Sequence, residues 1–168
     1  MVATEIAEPP VIFTRNLTLT SPLISMAPDV FDYAKDRSFA AALEREPLVH
    51  EDQAAEFLQD LIDTNAAAKR LYWAVRISDS GKVIGTLGLI HSSDFDADTM
   101  EFGYGFSPIF WGAGYFQEAA HAVLDYGFET MDLRRVIVRT RSRNLRAIKG
   151  VIKIGFRERK IIKGHYKI

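Results

Sequence analysis

The stretch Phe106-Ser107-Pro108-Ile109-Phe110-Trp111-Gly112-Ala113-Gly114-Tyr115-Phe116 is the part of the chain best suited to chemistry. A strand-like run ends in it, the chain turns through two glycines, and a helical pattern starts at once. Glycine lets backbone N–H groups approach a phosphate closely, and a helix start adds its positive dipole end. The spacing suits an anion, although a plain tight turn would use the same residues. A dinucleotide site is disfavoured because Gln117 stands where a third glycine is needed, and no Gly-Lys-Ser/Thr follows to make a Walker loop. The chain has no cysteine, which removes disulfides, thiolate metal sites and a cysteine nucleophile. None of its four histidines (His50, His91, His121 and His165) is paired at metal-ligand spacing, so no metal is expected.

The elements that must position this segment can be read from hydrophobic periodicity. Residues Met1 to Pro10 read as a loose tail and Val11 to Thr20 as a first strand. Asp29 is placed to cap a helix over Phe31 to Leu43, and Glu51 to Asn65 repeats apolar residues at helical spacing. Leu71 to Ile77 and Lys82 to Ile90 form a hairpin about Asp79-Ser80-Gly81. Met100 to Ser107 is a strand with Phe102, Tyr104 and Phe106 on one face and Glu101, Gly103 and Gly105 on the other. A helix from about Tyr115 to Met131 keeps Gln117, Glu118, His121, Asp125 and Glu129 outward. Val136 to Thr140 is a β-branched strand, Leu145 to Ile154 a short helix, and Glu158 to Ile168 a last strand. The expected fold class is α+β (an α/β three-layer arrangement): one domain over 1–168, with a central sheet flanked by helices.

With 168 residues, 48% hydrophobic and 26% charged, the composition is that of an ordinary globular domain. No apolar run reaches membrane-spanning length and no signal-peptide pattern opens the chain, so a cytoplasmic location is expected. The net charge of -1 conceals a polarity: Arg134 to Ile168 holds 13 Lys/Arg and one acid, Glu158. That third either meets an anion or is simply a solvated face, and the acidic front either attracts a cation or is likewise solvated. A nucleic-acid patch is disfavoured by sparse aromatic interleaving.

Taken together, Trp111-Gly112-x-Gly114-Tyr115-x-x-Glu118-Ala119, the strand Val136 to Thr140, and Asn144-x-x-Ala147 followed by Ile154-Gly155-Phe156 resemble the GNAT acyltransferase superfamily. The branch resembled is that of the ribosomal-protein alanine N-acetyltransferases. Glu101-Phe102-Gly103-Tyr104 before Ser107-Pro108, Ile84 to Leu89, and Arg15 to Leu19 fit the same branch. The likeness runs from about residue 11 to 160.

The resemblance implies a mixed, mostly antiparallel sheet with a V-shaped opening in which acetyl-CoA lies. The backbone of Gly112, Ala113, Gly114, Tyr115 and Phe116 would hold the pyrophosphate, and the strand end at Phe106 and Ser107 would pair with pantetheine. Asn144 would contact the cofactor arm or the substrate, and Lys149 and Lys153, with nearby arginines, the 3'-phosphate. The implied activity is acetyl transfer to a primary amine, either a protein N-terminus or a small molecule; the alternative is a degenerate acyl-CoA-binding module. An ammonium group must lose a proton before it attacks, and Glu101 matches a carboxylate that many relatives carry. A sheet-edge salt bridge is its other reading; His91, Asp94 and Asp96 are outside candidates. A backbone N–H near Phe106 would serve the oxyanion. Three departures stand out: Phe116 replaces a small residue, Val151 stands where other branches carry an acidic tyrosine, and the family's closing strand is not accounted for. A homodimer that supplies that strand is therefore an expectation.

Overall fold

Period-two alternation in the middle of the chain becomes a six-stranded sheet in the computed structural model, which describes residues 8–67 and 70–159. The strands are β1 (Ile12–Phe13), β2 (Leu17–Thr20), β3 (Arg70–Ile77), β4 (Val83–His91), β5 (Thr99–Phe106) and β6 (Arg135–Ile137), adjacent in chain order. All neighbours are antiparallel except β5 and β6, which run parallel. A parallel neighbour needs a crossover, and helix α4 (Tyr115–Asp125) supplies it.

Two cores flank the sheet. Leu17, Leu19, Trp73, Val75, Leu87, Leu89, Phe102 and Phe106 pack on one face against Ala119, Ala120 and Val123 of α4 and Ile154, which follows α5 (Leu145–Lys153). On the other face lie Val30, Tyr33 and Ala34 of α1 (Ala27–Ala34), Phe39 of α2 (Arg37–Ala42), and Ala54 and Leu58 of α3 (Glu51–Ala66). The three-layer expectation holds.

Several elements differ in detail from the sequence reading. The first strand is a tight antiparallel pair, because the chain turns at Thr14, whose N–H donates to the Leu17 carbonyl and whose hydroxyl oxygen accepts from the Leu17 N–H. The long helix expected after Pro28 is split in two. Asp36 leaves helical geometry, and its Oδ1 accepts from Ser38 N–H at 2.7 Å and Phe39 N–H at 3.4 Å, capping α2. Asp29 is not a cap; it lies in the first turn of α1, and its Oδ2 accepts from Val83 N–H at 2.9 Å. The helix expected to reach Met131 widens to a π-helical turn over Tyr126–Thr130. β6 has three residues rather than five. Residues 156–159 are not in a strand, and the rest of the last strand expected through Ile168, with His165, lies outside the described residues. No helix among the described residues is long and apolar enough to cross a membrane.

The polarised charge is used inside the fold. Asp98 pairs with Arg134, Asp94 and Glu101 with Arg139, and Glu44 with Arg141. Acids of the front portion are thus stitched to arginines of the basic third. On the outer side of α4, Glu118 was expected to face water. Its carboxylate instead accepts from Thr14 Oγ1 at 2.5 Å, Asn16 N–H at 2.9 Å and Asn16 Nδ2 at 2.7 Å. Desolvation raises its pKa, but these hydrogen bonds and the charge of Arg15 outweigh it and hold the carboxyl below its ordinary value.

Candidate active site

The opening lies where β6 stops. The β5–β6 ladder covers only Thr99↔Arg135, Met100↔Val136 and Glu101↔Ile137, while β5 runs on to Phe106. On a strand, successive residues turn their N–H and C=O groups to opposite neighbours. Ser107 N–H donates to the Ile84 carbonyl at 2.7 Å, so Gly105 and Gly103 also face β4. The N–H groups of Tyr104 and Phe106 therefore face the edge that β6 has left. The Phe106 carbonyl on that edge is taken by Trp111 Nε1 at 2.9 Å.

The glycine turn follows directly. Gly112 and Gly114 have φ of 81° and 87°, a region that other residues adopt at a cost, and a Cβ on either would meet no atom within 4 Å. Gly114 is the N-cap of α4, and no side chain among the described residues caps it. Among the described residues no hydrogen bond engages the N–H groups of Tyr115 and Phe116, which lie at the positive end of the helix. Arg146, exposed on α5, stacks over the Trp111 ring at 4.5 Å from its centroid and brings a cation beside the turn. Lys149 and Lys153 are exposed on the same helix. These residues fit a pyrophosphate-bearing ligand.

Phe116 points the other way. Its ring lies 4.6 Å from Tyr104 and 5.6 Å from Phe106, and a Cβ at Gly150 would be 3.5 Å from its Cε1. The bulky residue therefore packs between β5 and α5 while its N–H stays in the first turn. Tyr115 meets Phe110 edge-on. Asn144 is the N-cap of α5, its Oδ1 accepting from Ala147 N–H at 3.2 Å. Burial pushes the Tyr104 phenol up to about 12, so it keeps its proton at neutral pH.

Glu101 faces the opposite side of the sheet, with Gly103 and Gly105. There a small cavity of about 160 Å³ is walled by Phe39, Phe57, Leu61, Arg45, Tyr72 and Thr86, with Gly105 in its floor. A Cβ at Gly105 would come within 3.2 Å of the Phe39 ring, and one at Gly103 within 3.4 Å of the Tyr72 hydroxyl. Burial raises the Tyr72 phenol above its ordinary value; Arg70 opposes this and Glu101 adds to it. Glu101 Oε2 is 3.3 Å from Arg139 Nη2, which is equally close to Asp94, and the Glu101 side chain is 24% exposed. The arginine also stacks on Phe95 at 5.1 Å. The salt-bridge reading of Glu101 is thus realised. His91 and Asp96 have no hydrogen bond or ion pair from their side chains among the described residues, and His121 is exposed as expected. The sequence did not single out Arg139, Arg45 or Tyr72, nor the stacking of Arg146 on Trp111.

A hollow of about 700 Å³ lies outside α2, lined by Lys35, Arg37, Arg45 and Leu48. It is larger but touches no strand, so the opening beside β5 is the better candidate for chemistry. No cluster of metal-binding side chains exists among the described residues.

The chain matches the family profile described as an acetyltransferase (GNAT) domain over residues 16–157. It is 24% identical over 156 residues to p20 of Bacillus licheniformis, called an uncharacterized N-acetyltransferase, covering 93% of this chain and 87% of that protein. Among solved structures, a GNAT-family acetyltransferase from Bacillus anthracis superposes with a TM-score of 0.73 at 26% identity, covering 88% of this chain and 84% of the other. The ribosomal-protein-S5-alanine acetyltransferase of Vibrio fischeri gives 0.70 at 20% identity, covering 88% and 82% respectively, a likeness of fold.

Proposed function

Because the chain belongs to the GNAT acetyltransferases, as its family match across residues 16–157 shows, we propose that it moves an acetyl group from acetyl-CoA to a primary amine. The observation that carries this reading is the junction of two features: an uncapped, glycine-led helix start and a strand edge abandoned by its neighbour. Either alone is common. Side by side they offer an anion cradle and, leading from it, the Phe106 N–H and the backbone groups of Tyr104.

Bound acetyl-CoA supplies the acetyl group as an activated thioester. The N–H groups of Gly114, Tyr115 and Phe116 hold the pyrophosphate, and Arg146, Lys149 and Lys153 add cationic partners for the remaining phosphate. Tyr104 pairs through its backbone with the pantetheine arm, while Phe106 flanks it with its carbonyl held by Trp111 and its N–H kept for the acetyl oxygen, and the Ser107 N–H is turned to Ile84. Asn144 acts by starting α5 at the correct place, and Ala113 shapes the turn through its N–H, which donates to the Phe110 carbonyl at 3.3 Å.

The amine enters from the face that carries Glu101. Glu101, directly or through a water, accepts the proton that the ammonium must lose, and its ion pair with Arg139 holds the carboxylate in one position. As the nitrogen bonds to the carbonyl carbon, the Phe106 N–H donates to the oxygen that gathers charge. The carbon–sulfur bond then breaks. Tyr104, protonated and beside the same edge, donates to the departing sulfur and is reprotonated, through water, by the second proton that the acylated nitrogen gives up.

Release of free thiol from acetyl-CoA in the presence of a panel of primary amines tests this reading. Amine-dependent thiol release with a matching acetylated product is expected. Tight coenzyme A binding with no amine-dependent release would leave a binding module in place of an enzyme.

A further inference from the structure

The cavity beside Gly105 has an unusual wall for a site that receives an ammonium group. Arg45 belongs to it, and its guanidinium lies 5.6 Å from the Phe39 centroid and 5.3 Å from that of Phe57. Two rings hold the cation in place, yet no carboxylate pairs with it among the described residues. This contrasts with the neighbouring arginines, for Arg139 is shared by Asp94 and Glu101, and Arg141 meets Glu44. Arg45 is exposed, and its planar guanidinium, framed by two rings, is open to a carboxylate that the described residues do not supply.

Arg45 also borders the outer hollow, where Lys35 and Arg37 add positive charge and Glu46 opposes it. Lys35 is partly answered by Asp32 at 3.5 Å. The approach to the cavity thus carries more unpaired cation than anion. At about 160 Å³ the cavity is below the roughly 300–1,000 Å³ of drug-sized sites, which suits a small acceptor. Phe39, Leu43, Phe57 and Leu61 make its apolar walls, and Tyr72, Thr86 and Tyr104 complete the lining.

We propose that the acceptor is a small amine that also carries a carboxylate, an amino acid with an apolar side chain. Arg45 binds the carboxylate, the aromatic and leucine walls take the side chain, and the amine, on the same carbon as the carboxylate, is left against β5 at Gly105. This rests on the acetyltransferase reading above and adds the substrate class to it.

The test pairs leucine with leucinamide and phenylalanine with phenylalaninamide as acceptors, for the wild-type protein and for Arg45→Gln and Arg45→Ala. Each pair differs only in the charge that Arg45 would read. The amide's amine is the more easily deprotonated, so intrinsic reactivity favours the amide. Expected is a preference in kcat/KM for the acid of about 10- to 100-fold, the scale of a charge-assisted hydrogen-bond pair, falling toward one in both variants. Equal use of acid and amide by the wild type, or a preference that survives both substitutions, would overturn the assignment. So would a peptide with an amidated C-terminus serving as well as the free amino acid. Calorimetric binding of leucine and leucinamide with coenzyme A present requires no turnover and separates the two levels. If no amine is acetylated but leucine binds better, and the difference vanishes in Arg45→Gln, the carboxylate site stands and the enzyme reading falls. If both bind equally or neither binds, the carboxylate site falls.

Discussion

Replacing Gly114 by aspartate sets two effects against each other, and the structure gives a size to each. Its φ of 87° places any other residue in left-handed geometry, which costs about 1–2 kcal/mol. No clash adds to this, because a Cβ there meets nothing within 4 Å. A negative charge at a helix start returns about 0.3–1 kcal/mol, so the free protein should lose about 0.5–1.5 kcal/mol. For a chain of this size that lowers Tm by about 1–6 °C. The ligand term is larger. Coenzyme A at 100 times its Kd stabilises the wild type by about 2.7 kcal/mol, a rise of about 5–11 °C. The aspartate places a negative charge against the phosphates and should weaken binding by about 100-fold, shrinking that rise to about 1 °C. Gly114→Ala carries the strain without the charge and should keep most of the ligand-dependent rise. Thermal unfolding with and without coenzyme A reads all three proteins. A Gly114→Asp protein that keeps the full rise would remove the phosphates from this turn.

Glu101→Gln should slow amine acetylation by about 10²–10⁴ while sparing coenzyme A affinity, with partial recovery at higher pH where more amine is already neutral; unchanged turnover and pH profile would exclude Glu101. Arg146→Ala should weaken coenzyme A by about 10-fold in calorimetry, with the wild type showing the steeper dependence on salt. Glu118→Gln bears on stability. The depressed folded pKa of Glu118 means that its stabilisation is present above the unfolded value near 4.5 and disappears as pH falls through the folded value. The variant should therefore lose about 1 kcal/mol, or about 2–4 °C in Tm, at neutral pH, and the gap should close in acid.

The hairpin about Gly81, the apolar stripe of α3 and the amphipathic α5 were legible because each is specified within a short window. So was the glycine turn, since its conformational demand is written in two residues. The division of α1 from α2 was not, because Asp36 interrupts a run whose apolar spacing continues across it. Glu118 sits at an outward position of its helix, and only the placement of the β1–β2 turn reveals what it binds. Arg139 and Arg45 were invisible for a related reason. Their partners depend on how β6 registers against β5 and on where α2 ends, and neither is encoded locally. Phe116 shows the reverse error: judged by size alone it obstructs the turn, yet its ring leaves along the core side and only its amide faces outward.

The Glu118–Asn16 contact joins groups 102 residues apart in the chain. On a ribosome adding about 5–20 residues per second, the β1–β2 turn must wait roughly 5–20 s for the carboxylate that fastens it. The ladder from β3 to β5 involves neighbours in sequence and can assemble during that interval. The carboxylate belongs to the first turn of α4, the same turn whose amides face the open cradle. Docking of the earliest strands and fixing of the cradle are therefore one event, and it comes late. A nascent chain can hold a finished central sheet while it still lacks any means of gripping a phosphate.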